Sequence, residues 1–246
     1  EDEKERTTAE QLVNVALADM WFETALEKTL PFARAHPGIS SGGSGMHSSA
    51  ALGARSVRKL GELGSALDQG VFQLQNKYLA GDSAAKATLA ELRRGLGKPV
   101  GSVPEILEIT VRELPVSLSW AGDGLSTAEQ VAHAVFTLYA LHQHALPVAA
   151  HDPDVSFGKA VRFLRSNWRE ETVVRRFMAV STAETIEEML FHLKGMVVQL
   201  RSAQRGFDYA RLADDLMDLL NPGQSTQVRL AWGRDFYRTK TDTDIN

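Results

Sequence analysis

The sequence contains no cysteine, which excludes disulfide bonds, thiolate catalysis and cysteine-ligated zinc sites. It also lacks any uninterrupted apolar run near the roughly 18 residues that a membrane-spanning helix requires. Its first residues, EDEKERTT, are too acidic for a secretory or organelle-targeting peptide. Together these absences predict a soluble cytoplasmic protein with no membrane partner.

A strong charge of one sign is lacking as well, because the formal net charge of the 246 residues is only -4. The distribution is uneven. Residues 1–45 carry 4 basic and 8 acidic side chains, whereas residues 156–246 carry 14 basic and 12 acidic side chains. The excess negative charge therefore lies at the N-terminal end, and the C-terminal part is slightly basic.

The long segments have helical rather than strand periodicity, and Ala, Leu, Glu, Arg and Gln dominate them. This pattern predicts an all-α fold, built as compact helical bundles in two halves with no sheet. The S/T-x-x-E spacing predicts capped helix starts at Thr7, Ser126 and Ser181. Helices are expected over residues 8–29, 50–79, 83–96, 104–114, 125–146, 157–167, 171–180, 182–202, 209–220 and 224–237.

The stretch HPGISSGGSGMHSS has the composition of a flexible linker, and Met46 directly follows its GGSG. We interpret residues 1–41 as an extra amphipathic helix, a fused or foreign peptide, and residues 42–45 as the linker. A natural flexible loop is the alternative. The HDPD turn then divides the rest into a helical half, residues 46–154, and a basic helical half, residues 155–246.

The segment SFGKAVRFLRSNWREETVVRR, residues 156–176, concentrates basic side chains in a chain that is otherwise acidic. On a helix, Arg162, Arg165 and Arg169 recur at i, i+3 and i+7, so their guanidinium groups can follow a phosphate backbone. The alternative is a solvated face whose arginines pair with carboxylates. Because later helices add further basic residues, we predict backbone binding by a subunit of a larger assembly.

The DDLMD run places Asp214, Asp215 and Asp218 at the spacing with which isoprenoid synthases hold magnesium. The sequence has no matching second carboxylate motif, so we prefer a solvated acidic face and keep a magnesium-dependent enzyme as the alternative. His142 and His144 point to different faces of a predicted helix and form no typical metal spacing. We therefore predict no catalytic residue, metal or cofactor.

Five segments resemble a known family in order and spacing. They are GVFQLQNKYLAGDSAAKATLAELRRGLGKPVGSVPEILEITVRELP (70–115), SFGKAVRFL (156–164), VVRRFMAVSTAETIEEMLFHLKGMVVQLR (173–201), FDYARLADDLMDLL (207–220) and VRLAWGRDFYR (228–238). The family is CasB, the small subunit of the type I-E CRISPR Cascade surveillance complex. The resemblance covers about residues 46–238 and does not extend to residues 1–45.

The resemblance implies an all-helical protein that is not an enzyme. Its implied partners are other Cascade subunits, CRISPR RNA, target DNA and a second copy of itself, and its implied role is to stabilise the R-loop, including the displaced strand. A helical protein-binding adaptor is the alternative. The candidate nucleic-acid-binding residues are Lys159, Arg162, Arg165, Arg169, Arg175, Arg176, Lys194 and Arg201, with a second patch at Arg93, Arg94 and Lys98.

Overall fold

The structure, a computed structural model, describes residues 58–112, 114–119, 124–165 and 170–238. These residues belong to one compact unit that spans residues 55–246. The predicted all-α fold is confirmed, since the β structure in the described residues is limited to an isolated parallel bridge between His151 and Phe207. The predicted extra helix, its cap at Thr7 and the linker lie outside the described residues.

Nine helices form in the described part of the chain. They are α1 (Glu62–Leu79), α2 (Ser83–Arg94), α3 (Pro104–Val111), α4 (Thr127–Gln143), α5 (Phe157–Arg165), α6 (Glu170–Thr182), α7 (Ile186–Ser202), α8 (Tyr209–Leu220) and α9 (Ser225–Tyr237). Within the described residues, none of these helices is long and apolar enough to cross a membrane.

Helix α4 lies at the centre of the unit. Residues 131–143 are all buried, because this helix is apolar around its whole circumference and must be surrounded on all sides. It packs against α1, α2, α3, α7 and α8. The predicted capping box at its start is present, with Ser126 Oγ accepting from the Glu129 amide and the Glu129 carboxylate accepting from the Ser126 amide.

Helices α5 and α9 pack closely on each other, and aromatic rings fill the space between them and α6. The rings of Phe157 and Trp232 lie 4.8 Å apart, and those of Phe177 and Phe236 lie 4.1 Å apart. Gly158 permits the close approach, since a Cβ atom there would lie 2.7 Å from the Trp232 carbonyl oxygen. The glycine of the SFGKA segment is therefore required by helix packing.

Helix α1 begins at Glu62, whereas the sequence pattern predicted helix from residue 50. Residues 58–61 are not helical, and residues 50–57 lie outside the described residues. The start is fixed by Asp214 of α8, whose carboxylate accepts hydrogen bonds of 2.7 Å from the amides of Gly61 and Gly64. This side chain supplies the cap that the residue preceding α1 cannot, because that residue is glycine.

The predicted cap at Ser181 is wrong. Ser181 lies inside α6, where its hydroxyl donates to the Phe177 carbonyl oxygen. Helix α7 begins later, at Ile186, and its cap is Thr185, whose hydroxyl accepts from the Glu188 amide. The same S/T-x-x-E spacing occurs twice in STAETIEEM, and the apolar burial of α7 selects the second copy.

Helices from both predicted halves pack on one another, α1 on α8 and α4 on α7. The division at residues 154 and 155 stays a prediction. The junction itself is well defined, since the Asp152 amide donates to the Phe207 carbonyl oxygen and the Phe207 amide donates to the Ala150 carbonyl oxygen. These bonds hold the turn between the halves against the start of α8.

Candidate nucleic-acid interface

A groove of about 940 Å³ lies beside α5. Five of its lining residues are basic: Lys159, Arg162, Arg165, Arg205 and Arg238. Two are acidic, Asp152 and Glu170. The basic side chains come from α5, from the turn after α7 and from the end of α9, so the fold gathers charge that is dispersed along the sequence.

Helix α5 is strongly amphipathic, which orients its basic residues. Phe157, Val161 and Leu164 are buried in the core, whereas Lys159 is exposed and Arg162 and Arg165 are partly exposed. The predicted basic face of α5 is thus present for Arg162 and Arg165. Arg169 lies outside the described residues.

Arg165 links α5 to α6 and α9 through hydrogen bonds. Its Nε donates to the Glu170 carboxylate at 2.9 Å, and its Nη1 donates to the Phe236 carbonyl oxygen at 3.2 Å. The guanidinium carbon also lies 5.2 Å from the centre of the Phe236 ring. The alternative in which arginines pair with carboxylates therefore describes Arg165 well, and its charge is partly neutralised.

Arg162 and Lys159 carry the more available charge. Nη1 of Arg162 donates to the backbone carbonyl oxygen of Arg238 at 3.2 Å, a contact that positions the guanidinium without neutralising it. Lys159 is exposed at the groove. These two side chains therefore keep more of their positive charge at the groove than Arg165 does.

Arg205 and Arg238 are groove residues that the candidate set omitted. Arg205 follows α7 and lies against Phe163 of α5, with its guanidinium carbon 3.9 Å from the ring centre. Arg238 ends α9. Their charge is visible in the sequence, but no local spacing links them to α5, so only the tertiary fold assigns them to the same surface.

The remaining candidates of the C-terminal half lie on α6 and α7 and do not line this groove. Burial, and then the charge of Arg175, lowers the pKa of Arg176. Arg201 is half-buried and donates from Nη1 to the Leu141 carbonyl oxygen at 3.2 Å. Lys194 is partly buried on α7.

The second predicted patch lies around the end of α2. Burial lowers the pKa of Arg93, and the charge of Arg93 adds to burial in lowering the pKa of Arg201. The fold therefore places Arg93 near Arg201, which extends this patch onto α7. Arg94 is exposed and lies 3.8 Å from Glu91, and Lys98 is exposed.

The DDLMD run is not the solvated acidic face that the sequence suggested. Asp214 caps α1, and Asp215 accepts a 2.6 Å hydrogen bond from Nε1 of Trp232. Burial raises the pKa of Asp215 to about 7. Two of the three carboxylates are therefore committed to helix packing, which removes the basis of the magnesium-enzyme alternative.

A different cluster, Asp68, His151 and Asp208, brings three ligand atoms within 4.8 Å of one another. Nδ1 of His151 accepts from the Tyr209 amide, so the neutral ring carries its proton on Nε2, which faces Asp68 at 3.4 Å. The guanidinium of Arg58 pairs with both carboxylates. Because the ring offers no free lone pair and Arg58 balances the acidic charge, the cluster fits a structural network rather than a metal site.

Comparisons with known proteins agree with this architecture. Residues 88–237 match the family described as CRISPR-associated protein Cse2. CRISPR-associated protein Cse2 of Thermus thermophilus is 28% identical over 165 residues, which cover 65% of this chain and 85% of that protein. The matched family region contains Lys159, Arg162, Arg165 and Arg205 of the groove.

Two solved structures are similar. The crystal structure of CasB from Thermobifida fusca is 32% identical, with a TM-score of 0.62, covering 73% of this chain and 100% of that chain. The crystal structure of a Cse2 family protein from Thermus thermophilus is 26% identical, with a TM-score of 0.51, covering 69% of this chain and 96% of that chain.

Proposed function

Because this chain belongs to the Cse2 family of CRISPR-associated proteins, we propose that it is the non-catalytic small subunit of a type I-E CRISPR Cascade complex. In that complex it binds the nucleic-acid backbone and stabilises the R-loop, including the displaced strand. Its partners are other Cascade subunits, CRISPR RNA, target DNA and a second copy of itself.

The observation that carries this proposal is the convergence of basic side chains from three separate elements on one groove. Each Lys or Arg placed against a phosphate releases condensed counterions, which favours binding without any reading of bases. Exchange of a DNA duplex for an RNA–DNA heteroduplex is nearly balanced in RNA-guided effectors, so a few such contacts shift it. No chemical step at the nucleic acid is required.

The charge of -4 lies entirely in residues 1–45, so residues 46–246 have no net charge, which fits a subunit that acts within an assembly. The field of the whole chain does not attract nucleic acid, so binding depends on the local groove and on neighbouring subunits that present the strand. The acidic groove residues Asp152 and Glu170 reduce the local charge further. Modest affinity of the isolated chain is therefore expected.

A protein-binding adaptor remains the second candidate, and exposed apolar side chains favour it. Met178 on α6 and Tyr237 on α9 are 46% and 50% exposed, and the Tyr237 hydroxyl lies 4.0 Å from the sulfur of Met178. Leu230 on α9 is 52% exposed. In Cascade, such residues suit contacts with another subunit. Both candidate functions therefore allow assembly into the complex, and only the first includes nucleic-acid binding.

The test is the R-loop lifetime of a reconstituted Cascade that carries the Lys159→Glu and Arg162→Glu reversals. We expect the complex to assemble and the R-loop to dissociate faster, and the matched control Lys86→Glu, an exposed residue of α2, to behave as the wild type. In a salt series with single-stranded DNA, each lost phosphate contact lowers the magnitude of the salt slope by about 0.7. An unchanged lifetime and slope in an intact complex would support the adaptor instead.

A further inference from the structure

The guanidinium of Arg205 lies over the ring of Phe163, and both residues line the groove. The guanidinium carbon lies 3.9 Å from the centre of the phenyl ring, which is direct face contact. Phe163 is half-buried on α5, whereas Arg205 is exposed. The pair therefore presents a planar cationic group at the groove surface.

The backbone beneath Arg205 is held firmly. Gln204 adopts a left-handed conformation with φ of 53°, and the Arg205 amide donates to the Leu200 carbonyl oxygen at 3.0 Å. Gly206 lies against the segment between α4 and α5, where a Cβ atom on it would sit 2.6 Å from the Ala149 carbonyl oxygen. The side chain is thus positioned at both ends, by its turn and by the ring, and loses little conformational entropy on binding a ligand.

The groove around this pair has an apolar part and a positively charged part. Val148, Val155 and Ala160 give the groove an apolar part, and Val148 is 41% exposed. Lys159 and Arg162 give it a cationic part. A duplex keeps its base faces stacked inside, whereas a single strand offers phosphates to the cations and an apolar base face to the rest.

We propose that Arg205, held flat by Phe163, stacks an unpaired base of single-stranded nucleic acid whose phosphates lie on Lys159 and Arg162. This inference rests on the proposed function and adds to it a determinant of specificity for unpaired over paired strands. Guanidinium planes stack on bases in single-strand recognition, and the contact tolerates any base because every base has a π face.

The experiment compares two fluorescently labelled oligonucleotides of equal length, oligothymidine and its abasic counterpart, by anisotropy with the full chain. Both carry the same phosphates, so only contacts to the bases distinguish them, and the Arg205 variant separates stacking on the guanidinium from contacts with the apolar wall. Stacking is worth roughly fivefold or more in affinity per base, and we expect the wild type to prefer oligothymidine by at least that factor. The Arg205→Lys variant, which keeps the charge and loses the plane, should bind both oligonucleotides nearly equally.

Arg238→Lys is the matched control, since it makes the same change elsewhere in the groove and should keep the preference. Phe163→Leu should lose the preference for oligothymidine. If Phe163→Leu does not fold, Arg205→Lys alone decides the test. Equal binding of both oligonucleotides by the wild type, or a preference retained in Arg205→Lys, would overturn the stacking role while the groove still binds. Failure to bind either one, alone and in reconstituted Cascade, would overturn the proposed function itself.

Discussion

Nε1 of Trp232 donates a 2.6 Å hydrogen bond to a carboxylate oxygen of Asp215, joining α9 to α8 beside the aromatic core. Trp232 is completely buried. Burial raises the pKa of Asp215 to about 7, although the hydrogen bond from Trp232 favours the charged form. Near neutral pH, the protonation of this carboxyl group therefore changes the stability of the fold.

We predict that Asp215→Asn removes a pH dependence of stability. The folded-state pKa lies above the unfolded value, so the wild type loses stability as pH rises from about 4 through about 7. The stability of the variant relative to wild type should grow by about 2 to 4 kcal/mol over that range. Urea unfolding at a series of pH values measures this stability difference. Asp218→Asn on the same helix should show a smaller change with pH. Parallel curves for variant and wild type would contradict the prediction.

His151 should show the opposite dependence. Burial lowers its pKa to about 4, the charges of Asp68, Arg58 and Asp152 modify this shift, and Asp208 lies 3.9 Å from Nδ1. Its contribution to stability is present above the ordinary histidine value of about 6.5 and is lost as pH falls through about 4. Nitrogen NMR shifts should report a neutral ring with its proton on Nε2 at mildly acidic pH. Protonation of the folded state near the ordinary value would show that the network is weaker than its geometry indicates.

Gly158→Ala should separate α5 from α9. The added methyl group would lie 2.7 Å from the Trp232 carbonyl oxygen, and we expect a destabilisation of about 1 to 3 kcal/mol. Gly233, on α9, has no neighbour within 4 Å of such a group, so Gly233→Ala should stabilise the protein by about 0.5 to 1 kcal/mol. Chemical denaturation compares the two. Equal effects would mean that helix packing at Gly158 is looser than described.

Lys159→Gln and Arg165→Gln should separate binding from folding. Lys159 is exposed, so its replacement should weaken salt-dependent binding of single-stranded DNA and leave stability within about 0.5 kcal/mol of wild type. Arg165 bonds Glu170 and the Phe236 carbonyl oxygen, so its replacement should also cost about 1 to 3 kcal/mol of stability. Anisotropy and thermal unfolding give the two readouts. Loss of stability in Lys159→Gln would assign that residue a structural role.

The helices were accessible from the sequence because their signals are local. A mostly apolar run and the S-x-x-E cap define α4, and the predicted bounds of residues 209–220 coincide with those of α8. Asp82 caps α2, because its carboxylate accepts a hydrogen bond from the Ala85 amide three residues later. Each of these interactions joins residues within one turn.

The interactions that the sequence did not reveal join distant residues. The DDLMD run reads as an exposed acidic motif until the amides of α1 and the indole of Trp232 are placed beside it. Arg205 joins Phe163 across 42 positions only through the turn after α7. The roles of the individual basic residues in nucleic-acid binding stay predictions, because charge and spacing identify a surface and not its ligand.

The cap of α1 is Asp214, which follows the two amides it accepts from by 153 residues, for Gly61, and 150 residues, for Gly64. Helix nucleation is the costly step in forming a helix, and here its first turn is completed only after α8 has docked. The first described helix and the penultimate one are therefore joined by highly non-local contacts, which are expected to slow folding. In native-state hydrogen exchange, the start of α1 and the middle of α8 should open together as one cooperative unit.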